Sequence, residues 1–128
     1  MQQIKPTVLC VDDHEDSLEL LEIIFEMEGF EVKTCDSLEN CLQLIYETEF
    51  SAIVMDQRFG RETSLELCSK IRAHYPSMPI IYYSAEVRKT EIEKTFEAGA
   101  TAYLTKPDDF GNLTETVKKF VQLTQSEV

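Results

Sequence analysis

The sequence predicts an α/β fold: a parallel sheet covered by helices on both faces. Five short apolar runs, rich in β-branched or aromatic residues, alternate with five stretches whose apolar residues recur at intervals of three and four. Runs such as Val8-Leu9-Cys10-Val11 and Ile53-Val54-Met55 are apolar at successive positions, so both of their faces need cover. Connections between such strands are expected to be short and right-handed.

The first strand, Thr7-Val8-Leu9-Cys10-Val11, closes on Asp12-Asp13. Helix one carries a stripe of Leu18, Leu21 and Phe25; Asp16 with Glu19 resembles a capping box at its start, and Gly29 stands where it should stop. A second strand precedes the stripe Leu38, Cys41, Leu42 and Ile45. The third run, Ala52-Ile53-Val54-Met55, ends at Asp56, and the third helix presents Leu65, Cys68 and Ile71. The fourth, Ile80-Ile81-Tyr82-Tyr83, ends at Ser84, and its helix presents Ile92 and Phe96 before Gly99. The fifth, Ala102-Tyr103-Leu104-Thr105, runs into Lys106-Pro107 and is followed by Leu113, Val117, Phe120 and Val121. Each stripe is expected to face the core. Residues 1–128 are expected to form one domain with a short polar tail from about residue 122.

At 128 residues, 43% hydrophobic, with only four Gly and four Pro, the chain can bury one core without disulfide or metal staples. Twelve basic against twenty-four acidic side chains give a formal charge of −12. That balance repels phosphate backbones and anionic lipid, so direct binding of nucleic acid or membrane is not expected, whereas a cation or a basic protein surface is. Cys10, Cys35, Cys41 and Cys68 lie in apolar patterns with no C-x-x-C pair, and read as reduced, buried thiols. With no signal peptide and no apolar stretch of spanning length, a cytoplasmic protein is expected.

The chemistry gathers at the strand ends. Four of them carry an acidic pair, an acid, a hydroxyl and an amine, and in an open parallel sheet ligands bind outside the carboxyl ends. Taken singly, Asp12 and Asp13 would merely favour the positive end of the next helix, Ser84 would cap helix four, and Lys106 would be a solvated loop residue. It is the set, in this order, that points to function. If strands one and three are neighbours, three carboxylates converge and repel, which a hard divalent cation such as Mg²⁺ relieves. Asp56 could then act as a carboxylate nucleophile toward a phosphoryl group, with Lys106 and Ser84 cradling its oxygens.

Over nearly its whole length the chain resembles the receiver domains of two-component response regulators. The matching segments are Val8-Leu9-Cys10-Val11-Asp12-Asp13, Ile53-Val54-Met55-Asp56, Ile80-Ile81-Tyr82-Tyr83-Ser84-Ala85 and Ala98-Gly99-Ala100-Thr101-Ala102-Tyr103-Leu104-Thr105-Lys106-Pro107. The resemblance implies a flavodoxin-like (βα)5 fold with strand order 2-1-3-4-5. It also implies a phosphorylation switch in which Asp56 receives a phosphoryl group from a phosphohistidine of a sensor histidine kinase or phosphotransfer protein. The receiver itself supplies autophosphorylation and autodephosphorylation chemistry and is not an enzyme in the ordinary sense. By the same resemblance Asp13 and Asp56 ligate Mg²⁺, Asp12 acts through water, and the Arg58 carbonyl supplies a further ligand. Lys106 and Ser84 contact the phosphoryl group, Tyr103 is the aromatic switch residue that moves with Ser84, and Lys106-Pro107 is a cis peptide.

Where the family often has Pro and Gly four and eight residues past the phosphoacceptor, Gly60 and Ser64 stand here. The loop from Gln57 to Ser64 is therefore expected to differ in mobility and charge. Asp108 replaces the Phe often found after Lys-Pro, with Phe110 two residues on. Arg58 and Glu86 flank the site at positions that modulate phosphoryl lifetime in the family, and are expected to pair across its entrance. Of Tyr82 and Tyr83, at least one hydroxyl is expected to reach the sheet edge or a water. His14 reads as a loop residue, since Mg²⁺ favours oxygen donors, and His74 as solvated.

Three other functions compete. A haloacid-dehalogenase-like phosphatase would want a second Asp where Arg58 stands. A flavodoxin-like cofactor carrier would want a phosphate cradle after the first strand, where two Asp repel phosphate. A pseudo-receiver, acting as an interaction module without phosphorylation, shares all these residues. Because few residues follow helix five, a stand-alone receiver is expected. Its output would run through an unknown downstream protein, through phosphoryl relay, or through a homodimer, with helix four, strand five and helix five as the contact face.

Overall fold

The computed structural model describes residues 5–126. Its main sheet has five parallel strands: β1 (Thr7–Val11), β2 (Glu31–Cys35), β3 (Ala52–Met55), β4 (Ile80–Ser84) and β5 (Ala102–Thr105). Their order is β2-β1-β3-β4-β5, as the resemblance implied. The helices between and after them are α1 (Glu15–Met27), α2 (Leu38–Glu47), α3 (Leu65–His74), α4 (Lys89–Ala98) and α5 (Leu113–Ser126), the last preceded by a 3-10 turn at Phe110–Asn112.

Alternation along the strands divides the core in two. Val8, Cys10, Val54, Ile81 and Tyr83 pack with Leu18, Leu21 and Phe25 of α1 and with Leu113, Val117 and Val121 of α5. Leu9, Val11, Ile53, Met55, Ile80 and Tyr82 pack with Cys41 and Ile45 of α2 and with Leu67, Cys68 and Ile71 of α3. Burial on both faces is why these runs are continuously apolar. Strand β2 lies at one edge, and its sequence Glu-Val-Lys-Thr-Cys is mostly exposed. All four cysteines are free and buried, as expected. Among the described residues no helix is long and apolar enough to cross a membrane.

The helix ends depart from expectation in part. Gly29 and Gly99 adopt left-handed φ of 90° and 118° after α1 and α4. The capping box at Asp16 and Glu19 does not form, because α1 begins two residues earlier than that cap requires, at Glu15, with His14 as its N-cap. Asp16 instead lies in the first turn, where its charge complements the helix dipole. Nor does Ser84 cap α4, whose N-cap is Arg88. On α4 the buried position is Thr95, while Phe96, expected in the core, is 47% exposed. Helix α5 continues through Ser126, so the stretch from 122 forms its last turn; residues 127–128 lie outside the described residues.

Candidate functional site

Residues Val11 and Met55 are partners in the β1–β3 register, so Asp12 and Asp56, one residue further on, emerge side by side. Backbone bonds extend the ladder past the strand ends, from Asp56 N to Val11 O at 3.0 Å and from Asp12 N to Cys35 O at 3.2 Å. On the far side Ser84 pairs with Thr105, and Lys106 N donates to Ser84 O at 2.8 Å. The sheet order thus brings together Asp12, Asp13, Asp56, Ser84 and Lys106. The Lys106-Pro107 peptide is cis.

Lys106 is the centre of the charge balance. Its Nζ lies 2.6 Å from Asp12 Oδ2 and 3.0 Å from Asp56 Oδ2. Burial works against the ammonium, but the bond to Asp12 and the charge of Asp56 outweigh it and raise its pKa above the ordinary lysine value. The other Asp56 oxygen accepts from Gln57 N at 2.7 Å. Asp13 Oδ2 accepts from Gly60 N at 3.1 Å, tying the acid to the loop after β3.

His14 is a loop residue, as expected, but it lies against this group. Its Nδ1 is 3.1 Å from Asp12 Oδ1 and 3.0 Å from Asp13 Oδ1, and the bond to Asp12 followed by the charge of Asp13 raises its pKa. Donor atoms of Asp12, Asp13, His14 and Asp56 all lie within 4.8 Å of one another. One Lys106 charge cannot balance three carboxylates, and the donor set is dominated by hard oxygens, so the residues fit Mg²⁺. From Asp13 an open groove runs between α1 and α2, lined by Glu15, Glu19, Glu22, Asp36 and Glu47, which draws cations toward the rim.

The loop after Asp56 forms a short ribbon, a conformation the sequence did not predict. Arg58–Phe59 pairs antiparallel with Glu62–Thr63, and Gly60 turns the ribbon at a φ of 61° that other residues rarely adopt. Ser64 anchors its far end: fully buried, its Oγ is 2.7 Å from the Asp56 carbonyl and 2.9 Å from the Tyr82 hydroxyl. The carbonyl can only accept and Ser64 has one proton, so Ser64 donates to Asp56 O and Tyr82 donates to Ser64. The Tyr82 hydroxyl therefore finds a protein partner in the core instead of the sheet edge. His74, the last residue of α3, is exposed as expected, with its Nδ1 3.0 Å from Lys70 O and its ring edge-on to Tyr46.

Arg58 and Glu86 do not pair. Arg58 Nη2 lies 3.7 Å from Glu91 Oε1, whereas Glu86 binds Arg88 at 2.5 Å. The reason is position: Glu91 lies in the first turn of α4, facing the ribbon, and Glu86 has a nearer cation two residues along. Ser84 Oγ accepts from Glu86 N at 3.4 Å. Tyr103 stacks on Tyr82, with ring centroids 6.1 Å apart, and its hydroxyl donates to Glu86 O at 2.7 Å.

Sequence reasoning passed over Glu91, and it named Gln57 and Ser64 only as positions bounding a loop, without their contacts. Gln57 is 1% exposed, an unusual place for an amide, and its Nε2 donates to Glu91 O at 3.2 Å. The one available signal was a polar amide directly after Asp56, at the end of a buried strand.

The family model for the response regulator receiver domain matches residues 8–118. The transcriptional regulatory protein SrrA of Staphylococcus aureus is 29% identical over 119 residues, 93% of this chain but 49% of that protein. The chain thus spans about half the length of the curated relatives it matches. A CheY-like receiver domain protein from Methanospirillum hungatei superposes with a TM-score of 0.90 at 26% identity, covering 98% of this chain and all of that one. The response regulator TrrA of Thermotoga maritima, solved with Mg²⁺ and a beryllium fluoride, gives 0.81 at 27% identity over 90% of this chain and 98% of its own.

Proposed function

The chain belongs to the response regulator receiver family, and on that premise we propose that it is a phosphorylation switch whose acceptor is Asp56. The observation that carries the reading is the bridging of Asp12 and Asp56 by Lys106 at the sheet's carboxyl edge. In the reaction an Asp56 carboxylate oxygen attacks the phosphorus of a phosphohistidine. The new O–P bond forms as the N–P bond breaks, and the imidazole leaves with the bonding pair. Lys106, held within reach of Asp56, offers its ammonium to a transferred oxygen, and Ser84, which uses its oxygen as acceptor for Glu86 N, has its proton for another.

Asp12, Asp13, Asp56 and the Arg58 carbonyl would hold Mg²⁺, which when bound offsets the charge on the transferring oxygens. The donors are a sensor histidine kinase or phosphotransfer protein, in the cytoplasm. Ser84 and Tyr103 form the switch pair, and Arg58 and Glu86 modulate phosphoryl lifetime. Output runs through α4, β5 and α5, toward a downstream protein or a second copy of the chain. Phe96 on α4 and Val87 just before it are exposed there.

The test is intact-mass analysis after incubation with a small phosphodonor, with and without Mg²⁺. A Mg²⁺-dependent gain of one phosphoryl group, absent in Asp56→Asn, is expected. No gain in the unsubstituted protein, or an equal gain in Asp56→Asn, overturns the reading.

A further inference from the structure

The two residues that follow Asp56 converge on one residue of α4. Gln57, buried, donates its side-chain amide to the main-chain carbonyl of Glu91, and Arg58 approaches the Glu91 carboxylate. Glu91 is therefore tied to the end of β3 by both its backbone and its side chain. We propose that Glu91 is a positioning residue that parks Arg58 away from the phosphoryl site and releases it when an anion arrives at Asp56; this deepens the receiver reading and rests on it.

The charges around Glu91 make that exchange easy. Its Oε2 binds Lys94 at 2.7 Å, and its Oε1 lies 3.8 Å from Arg88 and 3.7 Å from Arg58. Arg88 is held more closely by Glu86. Three cations thus share two carboxylates, and Arg58 has the loosest hold: one long contact, on a side chain that is 47% exposed. The Glu91 side chain is mostly covered and keeps Lys94 if Arg58 leaves.

A phosphoryl group on Asp56, two residues from Arg58, offers oxygens in the geometry that a guanidinium binds with two donors. A single contact at 3.7 Å competes poorly with that. When Arg58 moves, α4 loses one of its two ties to the β3 end while Gln57 keeps the other. The charge change at Asp56 is thereby felt at the first turn of α4.

The test uses beryllofluoride with Mg²⁺ as phosphoryl analogue, its affinity read by fluorine NMR for the unsubstituted protein, Glu91→Gln, Arg58→Ala and the double variant, with melting curves to verify folding. Glu91→Gln, which frees Arg58, is expected to tighten binding about two- to five-fold, the range that an exposed pair commands. In the Arg58→Ala background the same change is expected to do nothing. An unchanged affinity in Glu91→Gln overturns the proposal, and so does equal tightening in both backgrounds, which would mark a through-space effect of the lost carboxylate. Absence of Mg²⁺-dependent binding in the unsubstituted protein is distinguishable from both, because it removes the receiver reading itself and this proposal with it.

Discussion

The guanidinium of Arg72 grips the carbonyl of Gly99 with two donors, Nε at 2.9 Å and Nη2 at 2.7 Å. The same side chain donates to Thr101 Oγ1 at 3.2 Å and to the carbonyls of Tyr75 and Pro76 at 3.0 Å. It therefore joins the C-terminal end of α3 to the turn between α4 and β5, the turn that delivers Tyr103 and Lys106. Burial lowers the Arg72 pKa, yet the ring of oxygens keeps the cation in place.

Arg72→Ala is expected to cost about 2 to 3 kcal/mol, since it leaves several partly buried carbonyls without a charged donor. Arg72→Lys should rescue little, because an ammonium cannot reproduce the fork. Gly99→Ala is expected to be destabilising for two reasons: its φ is 118°, and a Cβ there would lie 2.8 Å from Arg72 Cβ and Cγ. Urea unfolding measures all three. A loss below about half a kcal/mol for Arg72→Ala would refute the staple.

Ser64 and Tyr82 form a buried relay onto the Asp56 carbonyl. Ser64→Ala strands the Tyr82 hydroxyl in a dry site and should cost about 2 kcal/mol, and Tyr82→Phe about 1. The double variant is expected to fall short of their sum by at least about 0.5 kcal/mol, because the orphaned hydroxyl is gone. Strict additivity in a denaturant series would count against the shared bond.

Asp13 separates metal response from intrinsic stability. Each tenfold rise in Mg²⁺ above its dissociation constant should add about 1.4 kcal/mol to the unsubstituted protein, reversed by chelation. Asp13→Asn removes a like charge beside Asp12 but keeps an oxygen for Gly60 N, so without metal it should melt at or above the original temperature. With Mg²⁺ it should gain little. A gain equal to that of the unsubstituted protein would exclude Asp13 as a ligand.

Cys35 is expected to be the first thiol alkylated in the folded protein. A bond from the Cys41 thiol favours its thiolate and lowers its pKa, while that same bond raises Cys41 and burial pushes Cys10 and Cys68 up. Iodoacetamide labelling of Cys35 should therefore begin at lower pH than that of the other three, which should label only on unfolding. Peptide mapping that finds Cys10 or Cys68 modified first would contradict this assignment.

Much of the fold was legible because it rests on local rules. Unbroken apolar runs mark strands covered on both faces, stripes at three and four mark the helices, and Gly29 and Gly99 mark two helix ends. The weak spots were those where context overrides pattern. On α4, Phe96 fits the apolar period, but Thr95 is the residue turned inward, its hydroxyl bonded to Ile92 O at 2.7 Å. Ser64 precedes α3 as its N-cap residue, yet its hydroxyl goes to the Asp56 carbonyl and makes no bond to the helix.

The sequence by itself determined which residues stand at the strand ends, Asp12, Asp13, Asp56, Ser84 and Lys106, because a strand's length and apolar pattern are written locally. Their convergence needed the strand order, which local pattern does not encode and which the structure supplies as β2-β1-β3-β4-β5. Tertiary structure alone decided the partners around them: Glu91 and not Glu86 for Arg58, Ser64 for Tyr82, and Gly99 for Arg72. Long polar side chains reach several ångströms in many directions, so the partner expected from sequence need not be the one that packing brings within reach.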